Sequence, residues 1–546
     1  MDVGITGLAF SLRNLRNLRI KPYNSPMKLD DLKGQSILIL GLGREGRSSW
    51  RHLRAAFPEK ILGLADQLPL EKLDAEVAEL VRRDPRVRLH LGPDYLASLA
   101  DYDVIVKAPG IPVTLPEYRR AVGAGKRITS QTALFFANSP GTIIGVTGTK
   151  GKSTTASLLH SILERSGCEA YLVGNIGVPA LDLLPKGLPG SPKRSLQRFG
   201  VPLPPAVDNL VSKGNIVPPA FDLEPQAHSA SVFVYELSSH QLEGLRQSPR
   251  IAVLLNVVPE HLDYYESFEQ YVAAKENITR YQSAQDFLVY DADHAIPREI
   301  AARSPARRVA CSLEEGQALL RSPSLGGQAG CFLDGDWIVF RPAGGEPEKV
   351  IRAQDVPLLG KFNLLNVAAA VAVAKLLGIA QEEIAAAVRR FQPLEHRLER
   401  VGVYGGVAYY NDSIATVPEA TIAALDTLGE DVETILLGGT DRHLDFSALA
   451  KRLLGSSVRT VILFPTTGER IWRALCEHDA AASSRFLHFF VESMDEAVAL
   501  AKQHTAQGKI CLHSPASPSF GLFRDYRERG EAFKRLVGFL FDPQML

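Results

Sequence analysis

Residues 145–155 read Gly-Val-Thr-Gly-Thr-Lys-Gly-Lys-Ser-Thr-Thr and follow the apolar run Gly141-Thr142-Ile143-Ile144. This order predicts a strand, a glycine-rich turn and a helix. Such a turn offers what a polyphosphate needs: free backbone N–H groups, a mobile cation and a hydroxyl for a divalent metal. Lys152 suits neutralisation of the β- and γ-phosphates, and Ser153 suits Mg²⁺. The spacing differs from the common G-x-x-x-x-G-K-[ST] loop, because the residue five before Gly151 is Val146. Gly-Lys-Ser at a strand–helix junction has little packing use, so a bound nucleoside triphosphate is expected.

Three further clusters follow apolar runs. Glu236 opens Glu-Leu-Ser-Ser-His-Gln-Leu after the run 231–235. A carboxylate at the C-terminal edge of a strand suits Mg²⁺, and equally suits plain solvation. Asn256–Asp263 carries His261, which could ligate a second metal or contact substrate; a lone histidine is more often a cap or a core residue. Lys275 lies on a helical pattern, where a lysine taken alone reads as a solvated surface residue. Near the N-terminus, Gly41-Leu42-Gly43-Arg44-Glu45-Gly46 follows a strand, and Asp66 closes the next one. The motif fits a tight turn, a dinucleotide site or, beside a second phosphate loop, a nucleotide or nucleotide-sugar site.

The elements that must position these residues alternate. Short β-branched runs and longer helical patterns predict an α/β chain with parallel sheets covered by helices. Strands are expected at 36–40, 61–65 and 103–106, then at 231–235 and 251–255, and finally at 407–410, 434–437, 461–464 and 509–512. At 546 residues the chain is too long for one core. We divide it into an N-terminal domain, 1–137, with an extension over 1–30; a central domain, 138–394; and a C-terminal domain, 395–546. Nine of the 34 prolines fall between Pro185 and Pro225, so 186–228 reads as a surface insertion.

Lys+Arg and Asp+Glu are both 61, so no net field draws the chain to nucleic acid or anionic lipid. The five cysteines are scattered and lack zinc spacing, as in a reducing cytoplasm. The most apolar stretch, 364–380, carries Asn366 and Lys375 and reads as a buried helix, with no membrane span. The arginines of the N-terminus precede no long apolar region, so no signal peptide is read there.

The motifs recur in one order: GTKGKST, GNIGVP (174–179), ELSSHQL, PEHLD, Lys275, LLGKFNLLN (358–366), HRLE (396–399), YNDSIAT (410–416) and SPASPSFGLFRDYRERGEAF (514–533). This string resembles the Mur ligases over about residues 36–540, and most of all their glutamate-adding (MurD) type. The resemblance implies three domains: Rossmann-like at both ends, with a central P-loop ATPase-like sheet. It implies a cytoplasmic, monomeric ligase that uses ATP, two Mg²⁺ ions and a lysine carbamylated by CO₂ to join glutamate to UDP-N-acetylmuramoyl-L-alanine in peptidoglycan precursor synthesis.

Carried over by motif, Gly41, Gly43, Asp66, Pro109 and Gly110 hold the UDP part and Asn175 the sugar-linked part. Gly148, Thr149, Lys150, Gly151, Lys152, Ser153 and Thr154 hold ATP. Ser153, Glu236, His261 and carbamylated Lys275 hold the metals. Asn363, Asn366 and Arg397 flank adenine and γ-phosphate, Asp412 takes the ribose, and Thr416, Arg442, Ser519 and Tyr526 lie near glutamate.

This sequence departs from the family pattern at several points. Lys150 stands where many members have asparagine, Phe362 replaces a histidine, His240 a phenylalanine and Glu260 an aspartate. The familiar NDSKATN reads Asn411-Asp412-Ser413-Ile414-Ala415-Thr416-Val417, and Arg442 replaces a lysine after Leu-Gly-Gly. A planar fork and a point charge hold carboxylates differently. Variants that add L-glutamate carry similar changes, so D-glutamate is placed only slightly ahead of L-glutamate. A folylpolyglutamate-synthase-like amide ligase is a weaker alternative, lacking the nucleotide-sugar domain. A nicotinamide oxidoreductase or a switching P-loop protein has no need of HRLE and NDSIAT.

Overall fold

A computed structural model describes residues 26–184, 231–260, 264–314, 328–442, 444–519 and 521–538. The proline-rich insertion 186–228 and His261 lie outside the described residues. The strands build three sheets, and the alternation of the sequence is realised as an α/β fold.

The first sheet contains β1 (Ile37–Leu40), β2 (Leu62–Asp66), β3 (Val87–Leu91), β4 (Val104–Lys107) and β5 (Arg127–Ser130), all parallel in the order 3-2-1-4-5. Strand order reverses between β1 and β4, and the loops after them, 41–46 and 108–112, flank that reversal. Ligands of open parallel sheets bind at such switch points. Gly41 has a left-handed φ of 89°, and a Cβ on Gly46 would lie 1.9 Å from the Gly41 carbonyl oxygen. This close turn-to-helix approach is why the motif needs glycine there.

The second sheet contains β6 (Thr142–Thr147), β7 (Ala170–Gly174), β8 (Val232–Glu236), β9 (Ile251–Leu254), β10 (Phe287–Asp291), β11 (Arg307–Ser312), β12 (Ala329–Asp334), β13 (Trp337–Arg341) and β14 (Glu348–Arg352). Its order is 14-13-12-11-10-9-6-8-7. The phosphate-loop strand β6 lies between β8 and β9, so the loops after all three emerge side by side.

The third sheet contains β15 (Glu399–Tyr404), β16 (Val407–Asn411), β17 (Val432–Gly438), β18 (Thr460–Phe464), β19 (Leu487–Phe490) and β20 (Ile510–His513), in the order 15-16-20-17-18-19.

The sheets are mainly parallel, as expected, with antiparallel pairing at two places. β13 is antiparallel to β12 and β14, and β15 is antiparallel to β16. The cause is turn chemistry. Gly335-Asp336 and Gly405-Gly406 are two-residue connections with φ of 59° at Gly335 and 59° and 80° at the glycine pair. Such turns close hairpins and leave no room for a crossover helix.

The chain forms two compact units, one reaching residue 355 and taking in 364–389, the other comprising 356–363 and the chain from 390. The first unit holds two sheets on one continuous core. Phe135, on the helix Gln131–Asn138, meets Phe233 and Tyr235 of β8 edge-on at 5.1 and 5.7 Å. Met27 and Leu29 belong to the same core, so residues 27–30 of the N-terminal extension are part of the fold. The apolar stretch at 364–380 lies mostly in the buried helix Lys361–Leu376. No helix among the described residues is long and apolar enough to cross a membrane.

One core residue of the second unit carries an imbalance. His513 is fully buried, stacks on Phe533 at 4.9 Å, and neither ring nitrogen has a hydrogen-bond partner. Burial, then Arg529 and His396, hold its pKa well below the ordinary histidine value. The unfolded chain therefore takes up a proton that the native ring refuses, and stability is lost as pH falls below about 6.5. His513→Leu should raise the unfolding free energy by about 1–2 kcal/mol at pH 7 and flatten its fall between pH 7 and 5. Denaturant midpoints of both proteins at the two pH values check this. An unchanged pH slope in the variant would refute the account.

Candidate active site

The chemistry-bearing residues of the first unit gather at the C-terminal ends of β6, β8 and β9. Gly151 is the N-cap of the helix Lys152–Arg165, with a left-handed φ of 86°, and a Cβ there would lie 2.2 Å from Asn366 Oδ1. Only glycine permits both the turn and the contact with Asn366. The loop is tied to the segment after β9. Thr149 N donates to Asn256 O at 2.6 Å, and Lys150 N donates to Asn256 Oδ1 at 3.0 Å. Thr149 Oγ1 donates to Val258 O at 3.1 Å and lies 3.0 Å from Tyr271 Oη. Lys150 pairs with Glu260 at 2.6 Å. Both partners depart from the family pattern, and here they meet. Thr154 is buried in the first turn of the helix that Gly151 caps.

Lys152 Nζ donates to Gly148 O at 3.0 Å and Thr149 O at 2.9 Å, so the cation lies along the turn. Gly148 O accepts a second donor, Lys275 Nζ, at 2.7 Å. Lys275 is 1% exposed and stands 4.8 Å from the centre of the Tyr271 ring. The surface reading of this lysine is thus corrected: its helix, Phe268–Arg280, turns Lys275 inward. Burial, then repulsion from Lys152, holds its amine well below the ordinary lysine range, with Lys150 adding to that effect and Glu260 and Glu236 opposing it.

Glu236 ends β8 and is 3% exposed, which excludes the solvated-acid reading. Burial raises its pKa, while Lys152, hydrogen bonds from Ser153 and Asn175, and Lys275 pull it down. Its Oε2 is buried without a hydrogen-bond partner. An orphaned carboxylate oxygen beside a serine hydroxyl and a phosphate-loop lysine is a donor set that fits a hard divalent cation.

The nucleotide-sugar candidates lie in the same unit. Gly43 caps the helix Arg44–Ala56. Asp66 ends β2, and its two oxygens accept from Leu42 N at 2.8 Å and Leu68 N at 3.0 Å. The carboxylate therefore shapes the glycine turn. Arg44 donates to the carbonyls of Asn175, at 3.1 Å, and Gly177, so the turn is pinned to the segment that carries Asn175.

Sequence reading missed a buried set behind the loops 41–46 and 108–112. Lys107 donates to Ala108 O at 3.1 Å, Pro109 O at 3.4 Å and Ile111 O at 2.7 Å, which fixes the turn holding Pro109 and Gly110. Burial pushes it down to about 8, against Glu243 and Glu45. Glu45 accepts from Gln241 at 2.6 Å and is pushed up to about 7 by burial. Tyr264 Oη donates to Glu243 at 2.9 Å. The one available signal was a lysine ending an apolar strand one residue ahead of a Pro-Gly turn.

The remaining candidates belong to the second unit and surround the ends of β16, β17 and β20. Asp412 is 1% exposed, accepts from Leu398 N at 3.2 Å and Ser514 Oγ at 2.8 Å, and is pushed up to about 6 by burial while nearby Arg397 pulls it down. Thr416 follows in the same turn, Ser519 is buried in the turn after β20, and Tyr526 opens the last helix. Arg442 is exposed in the turn after β17. Asn363 is also part of this unit, and its Nδ2 donates to Leu359 O at 2.6 Å.

Glu395, His396 and Glu531 group their ligand atoms within 4.8 Å. Asn411 Nδ2 meets His396 Nδ1 at 2.9 Å and donates to Glu399 at 3.0 Å, while Asn411 Oδ1 accepts from Ser413 N at 3.2 Å. The amide orientation is fixed, Nδ1 accepts, and the ring proton sits on Nε2. That leaves no lone pair for a cation, so His396 braces the turn that carries Arg397.

Three sheets, with a phosphate turn and a buried acid–lysine pair at the head of the second, define a nucleotide-triphosphate-using enzyme. Residues 146–374 match the Mur ligase middle domain, and residues 396–517 the Mur ligase glutamate ligase domain. The chain is 35% identical over 499 residues to the UDP-N-acetylmuramoylalanine–D-glutamate ligase of Symbiobacterium thermophilum, covering 91% of this chain and 97% of that protein. It is 32% identical over 530 residues to the UDP-N-acetylmuramoyl-L-alanine–L-glutamate ligase of Xanthomonas oryzae pv. oryzae, covering 95% and 97%. Among solved structures, the UDP-N-acetylmuramate–alanine ligase of Thermotoga maritima shares the fold, with a TM-score of 0.51 at 17% identity over 92% of this chain and 98% of that one. The chain belongs to the Mur ligase family, the ATP-dependent ligases that form amide bonds.

Proposed function

We propose that this enzyme joins glutamate to UDP-N-acetylmuramoyl-L-alanine at the expense of ATP, in the cytoplasm, on the route to peptidoglycan. The observation that carries the reading is the meeting of Lys152, Glu236 and Lys275 around the phosphate turn, in a chain that spans 97% of a relative named for that reaction.

A carboxylate is a poor electrophile because its leaving group would be oxide. The alanyl carboxylate oxygen therefore attacks the γ-phosphorus, an O–P bond forms, and the bond to ADP breaks. Lys152 offsets the charge that develops on the phosphoryl oxygens. The glutamate amine then attacks the acyl phosphate carbonyl, loses a proton, and phosphate leaves as the amide forms. Ser153, Glu236, His261 and Lys275 are the residues assigned to Mg²⁺, which supplies charge neutralisation for the triphosphate when bound.

The buried amine of Lys275, whose burial and neighbouring Lys152 disfavour the ammonium form, is suited to carbamylation. Its lone pair adds to CO₂, an N–C bond forms, and a proton is released. The product is an anion held near Lys152 and Lys150, where an ammonium is repelled.

D-glutamate is the favoured acceptor, because the relatives of 30–35% identity include many named for it. The L-glutamate reading keeps one specific support: the Xanthomonas relative is as similar, and Ile414 and Arg442 alter the cations around the acceptor. Supplied with UDP-N-acetylmuramoyl-L-alanine and each enantiomer separately, the enzyme should release ADP and phosphate only with an amino acid present, and faster with D-glutamate. Product mass and chirality identify the amide. ADP release without any amino acid would reduce the protein to an NTPase.

A further inference from the structure

Arg529 lies on the helix Tyr526–Gly538 and is among the largest fully buried side chains of the protein. Its Nε donates to Ser413 Oγ at 3.0 Å, Nη2 to Ser413 O at 2.8 Å and Nη1 to Ser517 O at 3.0 Å. Ser413 Oγ itself donates to Tyr526 O at 2.7 Å. Every acceptor is a neutral oxygen. Among the described residues no carboxylate pairs with this guanidinium, and burial alone pushes it down to about 9.

A buried charge without an opposite charge is costly. The guanidinium grips the turn after β16 and the turn after β20, and Ser413 links it onward to the first residue of the last helix. Those segments carry Thr416, Ser519 and Tyr526. The position that would bring a lysine into the first turn is Ile414.

We propose that Arg529 is a positioning residue of the amino-acid pocket, clamping the 412–416 and 514–519 turns and supplying the positive potential that selects an acceptor with a second, side-chain carboxylate. The inference rests on the glutamate assignment above. It explains how a chain without a lysine at position 414 balances a dicarboxylate.

The test is steady-state kinetics of the full chain with glutamate and with glutamine, its uncharged counterpart. Arg529→Met should raise KM for glutamate about 10- to 100-fold, the range spanned by one charge-assisted contact, and shrink the glutamate-over-glutamine ratio of kcat/KM by a similar factor. KM for ATP and for the UDP substrate should stay within about twofold. Arg529→Lys keeps the charge and should keep most of the preference, whatever its kcat.

Equal losses for both amino acids in the methionine variant would mean a structural clamp only, and would overturn the proposal. Should that variant not fold, the lysine variant decides, since a preference lost with the charge retained is equally fatal. Absence of glutamate-dependent turnover in the unsubstituted enzyme would remove the acceptor assignment itself, and this inference with it.

Discussion

Lys152→Ala is expected to lower ATP-dependent ligation by about 10³-fold while leaving affinity for the UDP substrate unchanged. The magnitude is that of removing one preorganised charge from the site of a transferring phosphoryl group, about 4 kcal/mol. The position of Lys152 supports a large effect. Its ammonium is folded onto the carbonyls of Gly148 and Thr149, at the N-terminus of a helix whose backbone N–H groups face the same turn. A phosphate drawn there meets the cation without a long side-chain search. The loops assigned to UDP belong to the other sheet of the first unit and are held by Asp66, Arg44 and Lys107 through hydrogen bonds to Leu42, Asn175 and Ile111. Binding of the UDP substrate, followed by calorimetry, should therefore survive a substitution that stops ADP release. Near-normal turnover would remove Lys152 from the reaction.

Lys275→Ala should cost about 10²- to 10³-fold in turnover and, unlike Lys152→Ala, should regain activity when formate or acetate is added. If the working group is an ammonium, added anions do nothing. If it is a carbamate, a small carboxylate entering the space left by the side chain restores the missing anion. The anion reading rests on the surroundings of the amine. Lys275 is buried, its ammonium form is disfavoured beside Lys152, and the same carbonyl, Gly148 O, already accepts from the other lysine. Two cations on one carbonyl in a dry site repel, whereas an anion between Lys152 and Lys150 is stabilised. Intact-protein mass under CO₂, with bicarbonate withdrawn as the control, offers a readout independent of turnover. Full activity of the alanine variant without added carboxylate would end the carbamate reading.

Much of this site is legible along the chain because parallel sheets obey a simple rule. Each strand delivers its last residue, and the loop after it, to the same edge. Reading Thr142–Thr147, Val232–Glu236 and Ile251–Leu254 as parallel strands is enough to bring the glycine turn, Glu236 and Asn256 together. Helical periodicity places Lys275 on a helix but does not say which face turns inward. Its fate as a buried amine depends on Tyr271 and Gly148, which are separated from it by different distances in sequence and join it only in the fold.

Lys107, Glu45 and Glu243 show the other limit. Their charges suggest surface residues, yet Lys107 and Glu243 are buried and Glu45 is half-buried against elements far away in the chain. The antiparallel strands β13 and β15 are a milder case. Gly335-Asp336 and Gly405-Gly406 carry the hairpin signal, but it is weaker than the alternation around it.

Taken alone, the residue order determined the α/β class, the phosphate turn and the family, because these rest on local backbone geometry and on motifs that survive in one dimension. Tertiary structure alone decided which ionisable groups lose water. Burial sets the state of Lys275, the orphaned oxygen of Glu236, the unpaired ring nitrogens of His513 and the uncompensated charge of Arg529. Desolvation depends on everything packed around a group, and no spacing in a sequence records that.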